Sequence, residues 1–264
     1  MVRFALTLVR HGETRYNKDK VLQGQGVDEP LSETGFRQAE AAGRFLSSVK
    51  FTRVFSSDLI RAKQTAATIL GKSRHCGDLE IQLDTRLRER SYGTAEGKPL
   101  SDLRAMAKAT GEQCPSYTPP GGETIEQVRA RAKGFFEFLC QLVTEEEGRE
   151  VGVPRSSCEG ALEPPPSLVS TCVNPDTNCL DSTPGTNVLV VSHGAYMRIW
   201  ILYFVKELEC RLPGDLRKAQ ELSISPNTGI SQFVVSLTRG ETFSPEVRCV
   251  CINQQDHLTD LTPS

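Results

Sequence analysis

The sequence predicts an α/β fold: a three-layer α/β/α sandwich around a mostly parallel sheet with an antiparallel edge. Three observations predict it. Branched apolar runs at Phe4 to Val9, Arg53 to Ser56 and Val188 to Val191 alternate with segments of helical spacing, the pattern of strand, crossover helix and parallel strand. Two of these runs stop abruptly at a His-Gly pair, His11-Gly12 and His193-Gly194. Ser231 to Leu237 and Val247 to Ile252 read as an antiparallel pair joined through Gly240. Ligands of open parallel sheets sit beyond the carboxyl ends of the strands. Two such ends lying side by side bring both imidazoles to one pocket.

Composition narrows the class. At 264 residues the chain suits a single domain spanning 1–264. No run of about eighteen apolar residues exists, so no membrane span is expected. Met1-Val2-Arg3-Phe4 leads straight into the first strand, with none of the regions of a signal peptide. The nine cysteines are scattered without CxxC or metal-ligand spacing, which reads as reduced thiols in a cytoplasmic protein. The formal net charge of −2 gives no overall field for a polyanion, so nucleic acid is not an expected partner. Affinity for a small anion must come from a local cluster of cations.

The elements follow in order. After the first strand, residues 13–25 are polar and glycine-containing, a loop that carries Asn17, Gln23 and Gly24. Ser32 is a helix start, and Phe36, Ala39, Ala42, Gly43 and Leu46 fall on one helical stripe. Arg53 to Ser56 is a second strand, and Ser56, Ser57 and Asp58 are cap candidates for a helix with Arg61 in its first turn. A helix start favours anions, and an arginine there adds a bidentate fork for phosphate oxygens. Glu80 to Leu83 is a short strand. Leu87 to Gly93 is a charged turn too polar for the core, and Ser101 to Lys108 is a helix. Beyond the Pro- and Gly-rich loop 114–122, Val128, Ala132, Phe135, Phe136 and Leu139 mark the buried face of another helix. From Glu145 to Thr186 the pattern collapses into an acidic run, three prolines and many small polar residues, an expected mobile insertion. A helix from Ala195 to about Val205 follows the second His-Gly pair, and Leu222 to Ser225 reads as a further strand.

A hydrogen-bonded histidine at one strand end is ordinary structure; the pair of them carries the chemical reading. Arg10, Arg61, His11, His193, Asn17 and the backbone N–H groups near Gly194 together form equipment for a phosphoryl group, whose transfer needs positioning and charge stabilisation. Cationic side chains can do this without metal or cofactor. A histidine nucleophile splits hydrolysis into two steps, and one carboxyl group can give the leaving oxygen a proton and later take one from water. Glu89 is the candidate, with Asp102 and Glu123 as rivals. Gln23, Gly24 and Tyr92 are candidate substrate contacts, and Arg88, Arg90 and Lys98 candidate groups for a second phosphate. His75 reads as a surface residue.

The runs Leu8-Val9-Arg10-His11-Gly12-Glu13-Thr14 with Asn17, Ser56-Ser57-Asp58-Leu59-x-Arg61, and Val190-Val191-Ser192-His193-Gly194 resemble the histidine phosphatase superfamily, the phosphoglycerate mutase-like proteins. The resemblance covers the chain outside 145–186. It implies His11 as phosphoryl acceptor, Arg10, Asn17, Arg61 and His193 as phosphate pocket, and Glu89 as proton donor. Leu22 to Gly35, Leu103 to Lys108, Pro226 to Gly229 and Asn253 to Leu258 resemble the members that remove the 2-phosphate of fructose-2,6-bisphosphate. That resemblance implies lower glycolytic flux, a favoured pentose phosphate route and roles in survival, apoptosis and autophagy. Mutases of the family hold a substrate carboxylate with an arginine pair, whereas the corresponding loop here, Cys114-Pro115-Ser116-Tyr117, has none. The expected partner is therefore a phosphorylated sugar or glycolytic acid. Rival readings are a phosphatase of 2,3-bisphosphoglycerate or of broad specificity, a phosphoglycerate mutase, and a regulatory binding protein on the same fold.

Overall fold

Alternation along the strands decides which side chains enter which layer. The computed structural model describes residues 1–76, 78–150, 185–214, 223–238, 244–259 and 261. Its strands are β1 (Val2–Arg10), β2 (Arg53–Ser56), β3 (Ile81–Leu83), β4 (Thr186–Ser192), β5 (Ile230–Leu237) and β6 (Pro245–Gln254). The helices are α1 (Arg15–Lys18), α2 (Glu33–Phe45), α3 (Ile60–Leu70), α4 (Leu100–Ala109), α5 (Ile125–Glu150) and α6 (Gly194–Lys206). One sheet runs in the order β3-β2-β4-β1-β5-β6. The first four of these are mutually parallel, while β5 is antiparallel to both β1 and β6. The mixed α/β sheet expected from sequence is thus the one observed.

Phe4, Leu6 and Leu8 of β1 enter a core with Phe135 and Phe136 of α5 and Trp200 and Phe204 of α6. Val9 points the other way, into a cluster with Ala42 of α2 and Ala62, Ala66 and Ile69 of α3. This period of two, with a helix pair on each face, produces the three layers. Ser32 caps α2 as expected, its Oγ accepting from the Gly35 N–H at 3.0 Å.

Several boundaries differ from expectation. Phe36 is 40% exposed and off the buried stripe of α2, which is lined by Gly35, Ala39, Ala42 and Gly43. Ser56, Ser57 and Asp58 do not cap α3: its N-cap is Leu59, and Asp28 from the loop before α2 reaches over to accept the Ile60 N–H at 2.7 Å. Asp58 is held elsewhere, by Arg88. The expected break at Glu145 comes later, because α5 continues through Glu150. Glutamate is a good helix former, and Glu146 pairs with Arg53 at the start of β2. The rest of the expected insertion, 151–184, lies outside the described residues, as do Leu222 and Gly240. Ser223 to Ser225 is not a strand, and its main chain serves the site instead. Among the described residues no helix is long and apolar enough to cross a membrane.

Candidate active site

Parallel pairing of β1 with β4 sets Arg10 opposite Ser192, so the next residue on each strand is a histidine. The His11 N–H donates to Ser192 O at 2.9 Å, and the two imidazole rings lie 5.2 Å apart between centroids. His193 is the N-cap of α6. His11 Nδ1 lies 2.7 Å from Gly12 O. A carbonyl only accepts, so Nδ1 carries the ring proton and Nε2 keeps its lone pair. Burial, then the positive fields of Arg61 and Arg10, hold the His11 pKa well below its ordinary value. His193 is lowered likewise, by burial first and then by Arg61, His11 and Arg10. Both rings are therefore neutral near pH 7, and His11 presents a free nucleophilic nitrogen.

Gly12 is required by close packing. Its N–H donates to Thr65 Oγ1 at 3.0 Å, and a Cβ on it would stand 2.4 Å from the backbone oxygen of Gly35. Neither backbone can step aside alone. Gly12→Ala is expected to cost about 1–3 kcal/mol, lowering the melting midpoint by a few degrees per kcal/mol. An unchanged midpoint would show that the loops slide freely.

Two guanidiniums face the rings. Arg61, fully buried in the first turn of α3, donates through Nη2 to Gly24 O at 2.9 Å and through Nη1 to Val27 O at 3.1 Å. Burial lowers its pKa to about 10, with Glu89 and Asp28 opposing, so it stays charged at neutral pH. Arg10 Nη1 donates to Ser225 O at 2.6 Å, and a Cβ on Gly194 would sit 3.2 Å from its guanidinium carbon. Glycine at 194 thus lets the cation lie against the start of α6. Among the described residues, the Nε atoms of Arg10 and Arg61, both ring nitrogens of His193 and Oε1 of Gln23 are buried and find no hydrogen-bond partner. Buried polar groups are nearly always paired; orphans also occur away from the two histidines, at Asn187 Oδ1 and Trp200 Nε1, and those on Arg10, Arg61 and His193 are the ones beside His11. Asn17 Oδ1 accepts from Thr14 N–H at 3.1 Å and from Asn227 Nδ2 at 3.2 Å, and Asn227 also donates to His11 O at 3.1 Å. Gly24 has a φ of +57°, a conformation that side chains rarely adopt, and a Cβ there would displace the Glu96 carboxylate, whose Oε1 lies 2.0 Å from that position.

Glu89 arrives from the turn after β3. Its Oε1 accepts the N–H groups of Arg90 at 2.8 Å and Tyr196 at 2.9 Å, and its Oε2 that of Ala195 at 3.1 Å. This places the carboxylate on the N-terminus of α6, one residue beyond His193 and Gly194, and in the electrostatic reach of Arg10 and Arg61. Tyr92 is also within reach of Glu89 and Arg10, and burial raises its phenol pKa.

Other sequence candidates are placed differently. Arg88 forms a bidentate pair with Asp58 at 2.8 and 2.6 Å. Arg90, expected in a turn too polar for the core, is 2% exposed and donates to Glu123 O, Pro115 O, Tyr117 O and Thr118 Oγ1. A buried guanidinium must satisfy its donors locally, so Arg90 is held as structure and Arg88 as an ion pair. Lys98 is exposed. Asp102 is exposed on α4 and accepts from Ser101 Oγ at 3.2 Å. Glu123 would be raised by burial, but bonds from Arg131, Ser91 and Gln25 hold its carboxyl below the ordinary range. It is therefore a poor proton donor. Sequence reasoning missed Gln25, Asn227, Glu96 and Arg131; for Arg131 the signal was a charge three residues from Val128, beside an apolar stripe.

Burial of neutral imidazoles links stability to pH. His11 and His193 have lowered pKa values, and burial brings His257, beside Thr228, down to about 4. The unfolded chain binds protons at these groups below about pH 6.5, while the folded chain does not. Stability is thus fully present above that pH and is lost as pH falls toward the folded values. Unfolding at pH 5.5 should take up as many as three protons at these groups, measurable from the pH dependence of the unfolding free energy. A flat profile between pH 6.5 and 5 would contradict the neutral rings.

Known proteins resemble the chain in sequence and in fold. Residues 6–153 match the family model described as histidine phosphatase superfamily (branch 1). The chain is similar to "Fructose-2,6-bisphosphatase TIGAR" of Xenopus laevis, 58% identical across 99% of this chain and 97% of the relative. It is similar to the Mus musculus protein of that name, 55% identical across 99% and 98%. In three dimensions it resembles a mycobacterial glucosyl-3-phosphoglycerate phosphatase, with a TM-score of 0.65 and 25% identity over 95% of this chain and 99% of that one. By the family match and near full-length likeness to these relatives, the chain belongs to the histidine phosphatase superfamily.

Proposed function

We propose that the chain removes the 2-phosphate of fructose-2,6-bisphosphate through a phosphohistidine on His11. The observation that carries it is the His11 tautomer: Nδ1 is tied to Gly12 O, leaving a neutral Nε2 beside Arg10, Arg61 and His193. The substrate rests on the relatives' names and on their identity along nearly the whole chain.

In the first step Nε2 of His11 bonds to phosphorus as the bond to the sugar oxygen breaks. Glu89 passes a proton to that oxygen; Oε2, with its single longer bond, is the oxygen suited to carry it. Arg10, Arg61 and the His193 ring face the phosphoryl oxygens, where preorganised donors are effective. In the second step water attacks phosphorus, the bond to Nε2 breaks, and Glu89 takes the water's proton. The products are phosphate and fructose-6-phosphate, with the enzyme restored. We place this activity in the cytoplasm, where thiols such as Cys76, Cys114, Cys140 and Cys210 stay reduced. There it lowers glycolytic flux in favour of the pentose phosphate route.

A second reading, a phosphomonoesterase of broader specificity, is favoured by one observation: Arg88 and Arg90 are engaged within the chain, and of the expected second-phosphate cations Lys98 alone is left exposed. The deciding experiment compares kcat/KM for fructose-2,6-bisphosphate, 2,3-bisphosphoglycerate, fructose-6-phosphate, phosphoenolpyruvate and 3-phosphoglycerate in one buffer. Fructose-2,6-bisphosphate should lead by about tenfold or more, since binding energy remote from the reacting bond helps to position it. A monophosphate equal to it would support the second reading, and isomerised 3-phosphoglycerate would make the chain a mutase.

A further inference from the structure

The segment that carries Glu89 has little regular structure, yet every carbonyl from Arg86 to Glu89 takes a side-chain donor. Arg131 Nη1, from the first turns of α5, donates to Arg86 O at 2.7 Å and Arg88 O at 3.0 Å. Ser192 Oγ, one residue before His193, donates to Leu87 O at 2.8 Å. Glu89 O accepts from Arg131 Nη2 at 3.3 Å and from Gln25 Nε2 at 2.8 Å. The segment is fixed carbonyl by carbonyl by groups that do not belong to it.

Two of those groups, Arg131 and Gln25, are themselves fixed by one carboxylate. Glu123 Oε1 accepts from Arg131 Nε and its Oε2 from Arg131 Nη2, both at 2.8 Å, a two-bond fork that orients the guanidinium plane. The same Oε2 accepts from Ser91 N–H at 2.9 Å and from Gln25 Nε2 at 3.0 Å. Gln25 stands in the loop whose Gly24 and Val27 carbonyls are gripped by Arg61. The pair is mostly buried, with the side chains of Arg131 and Glu123 20% and 21% exposed.

We infer that Arg131, Glu123 and Gln25 form a positioning unit that sets the Glu89 carboxyl against the leaving oxygen and ties it to the loop that Arg61 holds. None of the three is among the groups assigned to hold the phosphoryl group or move its proton; each acts through the Glu89 main chain. Misplacement of a reacting group by about 1 Å can cost a hundredfold in rate, so a loosened carbonyl clamp shows as lost proton transfer. The inference rests on Glu89 as the proton donor, and the test separates the two.

The readout is the leaving group. A sugar alkoxide needs a proton to depart; p-nitrophenolate does not. The parameter kcat/KM reports the steps through loss of that group, so it is compared for a sugar phosphate and p-nitrophenyl phosphate in Arg131→Lys, Glu123→Gln, Gln25→Ala and Glu89→Gln. Arg131→Lys keeps the charge and loses the fork. Arg131→Lys and Glu123→Gln should lose about tenfold or more on the sugar phosphate and less than about threefold on p-nitrophenyl phosphate, a reduced form of the Glu89→Gln pattern. Gln25→Ala, a change in a half-buried loop residue, should show the same selectivity at smaller size, and carries the test if a variant of the ion pair does not fold. Equal losses on both substrates in the three variants, with Glu89→Gln remaining selective, would overturn the positioning unit and leave Glu89 in its role. Equal losses in Glu89→Gln itself would overturn the reading of Glu89 and the unit with it.

Discussion

His11→Asn is expected to lower turnover by about ten-thousandfold or more, the scale on which removal of a covalent nucleophile is felt. Asparagine keeps an N–H able to donate to Gly12 O, the bond that the ring makes at 2.7 Å, so the strand end should hold its shape. What disappears is the lone pair of Nε2. Wild-type protein mixed with substrate and quenched in alkali should carry phosphate on His11, since phosphohistidine survives base and not acid. The variant should carry none. Because His11 is buried with its pKa well below the ordinary value, His11→Asn should also reduce the stability lost between pH 6.5 and 5. Phosphate mapped to a serine or aspartate, or a variant within tenfold of wild type, would sink the covalent mechanism.

The sequence made this prediction possible because the site's centre lies at strand ends. A run such as Leu6 to Val9 reads as a strand by its own composition, and where it stops is visible in the next two letters. Parallel register then does what no local pattern records: Arg10 opposite Ser192 makes neighbours of His11 and His193 across more than 180 residues. The doubled His-Gly was the sign of it. Cations away from strand ends were harder to read. Arg61, Arg88 and Arg90 all looked available for phosphate. Arg61 is bonded to the substrate-side loop with its Nε left over, whereas Arg88 meets Asp58 and Arg90 meets four main-chain and side-chain oxygens. An arginine's partners are set by tertiary packing, and a linear sequence shows the donor without the acceptor. The misplaced end of the helix before the insertion has a simpler cause. The acidic run after Thr144 breaks the apolar periodicity in the sequence, yet glutamates continue a helix well when one of them, Glu146, finds Arg53.

Glu89→Gln should cost about a hundredfold to ten-thousandfold in kcat/KM on a sugar phosphate, the usual worth of general acid catalysis, while Asp102→Asn should stay within about twofold of wild type. The contrast follows from position. Asp102 is exposed on α4 with a neighbouring serine for company, and Glu123 is held by Arg131 as an acceptor. Glu89 is the carboxyl at the start of α6, beside the backbone that carries both His193 and Gly194. Glutamine there can keep the two bonds that Oε1 accepts from Arg90 and Tyr196. Its amide nitrogen would replace Oε2 and face the Ala195 N–H, 3.1 Å away, donor against donor. That single mismatch costs about 1–3 kcal/mol of stability, a loss visible in a melting curve and too local to remove the fold. Turnover is lost for a different reason: an amide neither gives the leaving oxygen a proton nor takes one from water. The two effects separate in experiment. The melting shift is the same with any substrate, whereas the rate loss is large for a sugar phosphate and shrinks when the leaving group needs no proton. A Glu89→Gln rate within tenfold of wild type on the sugar phosphate, with the melting shift present, would move the proton to another group and make Tyr92, which lies within electrostatic reach of Glu89 and Arg10, the next residue to change.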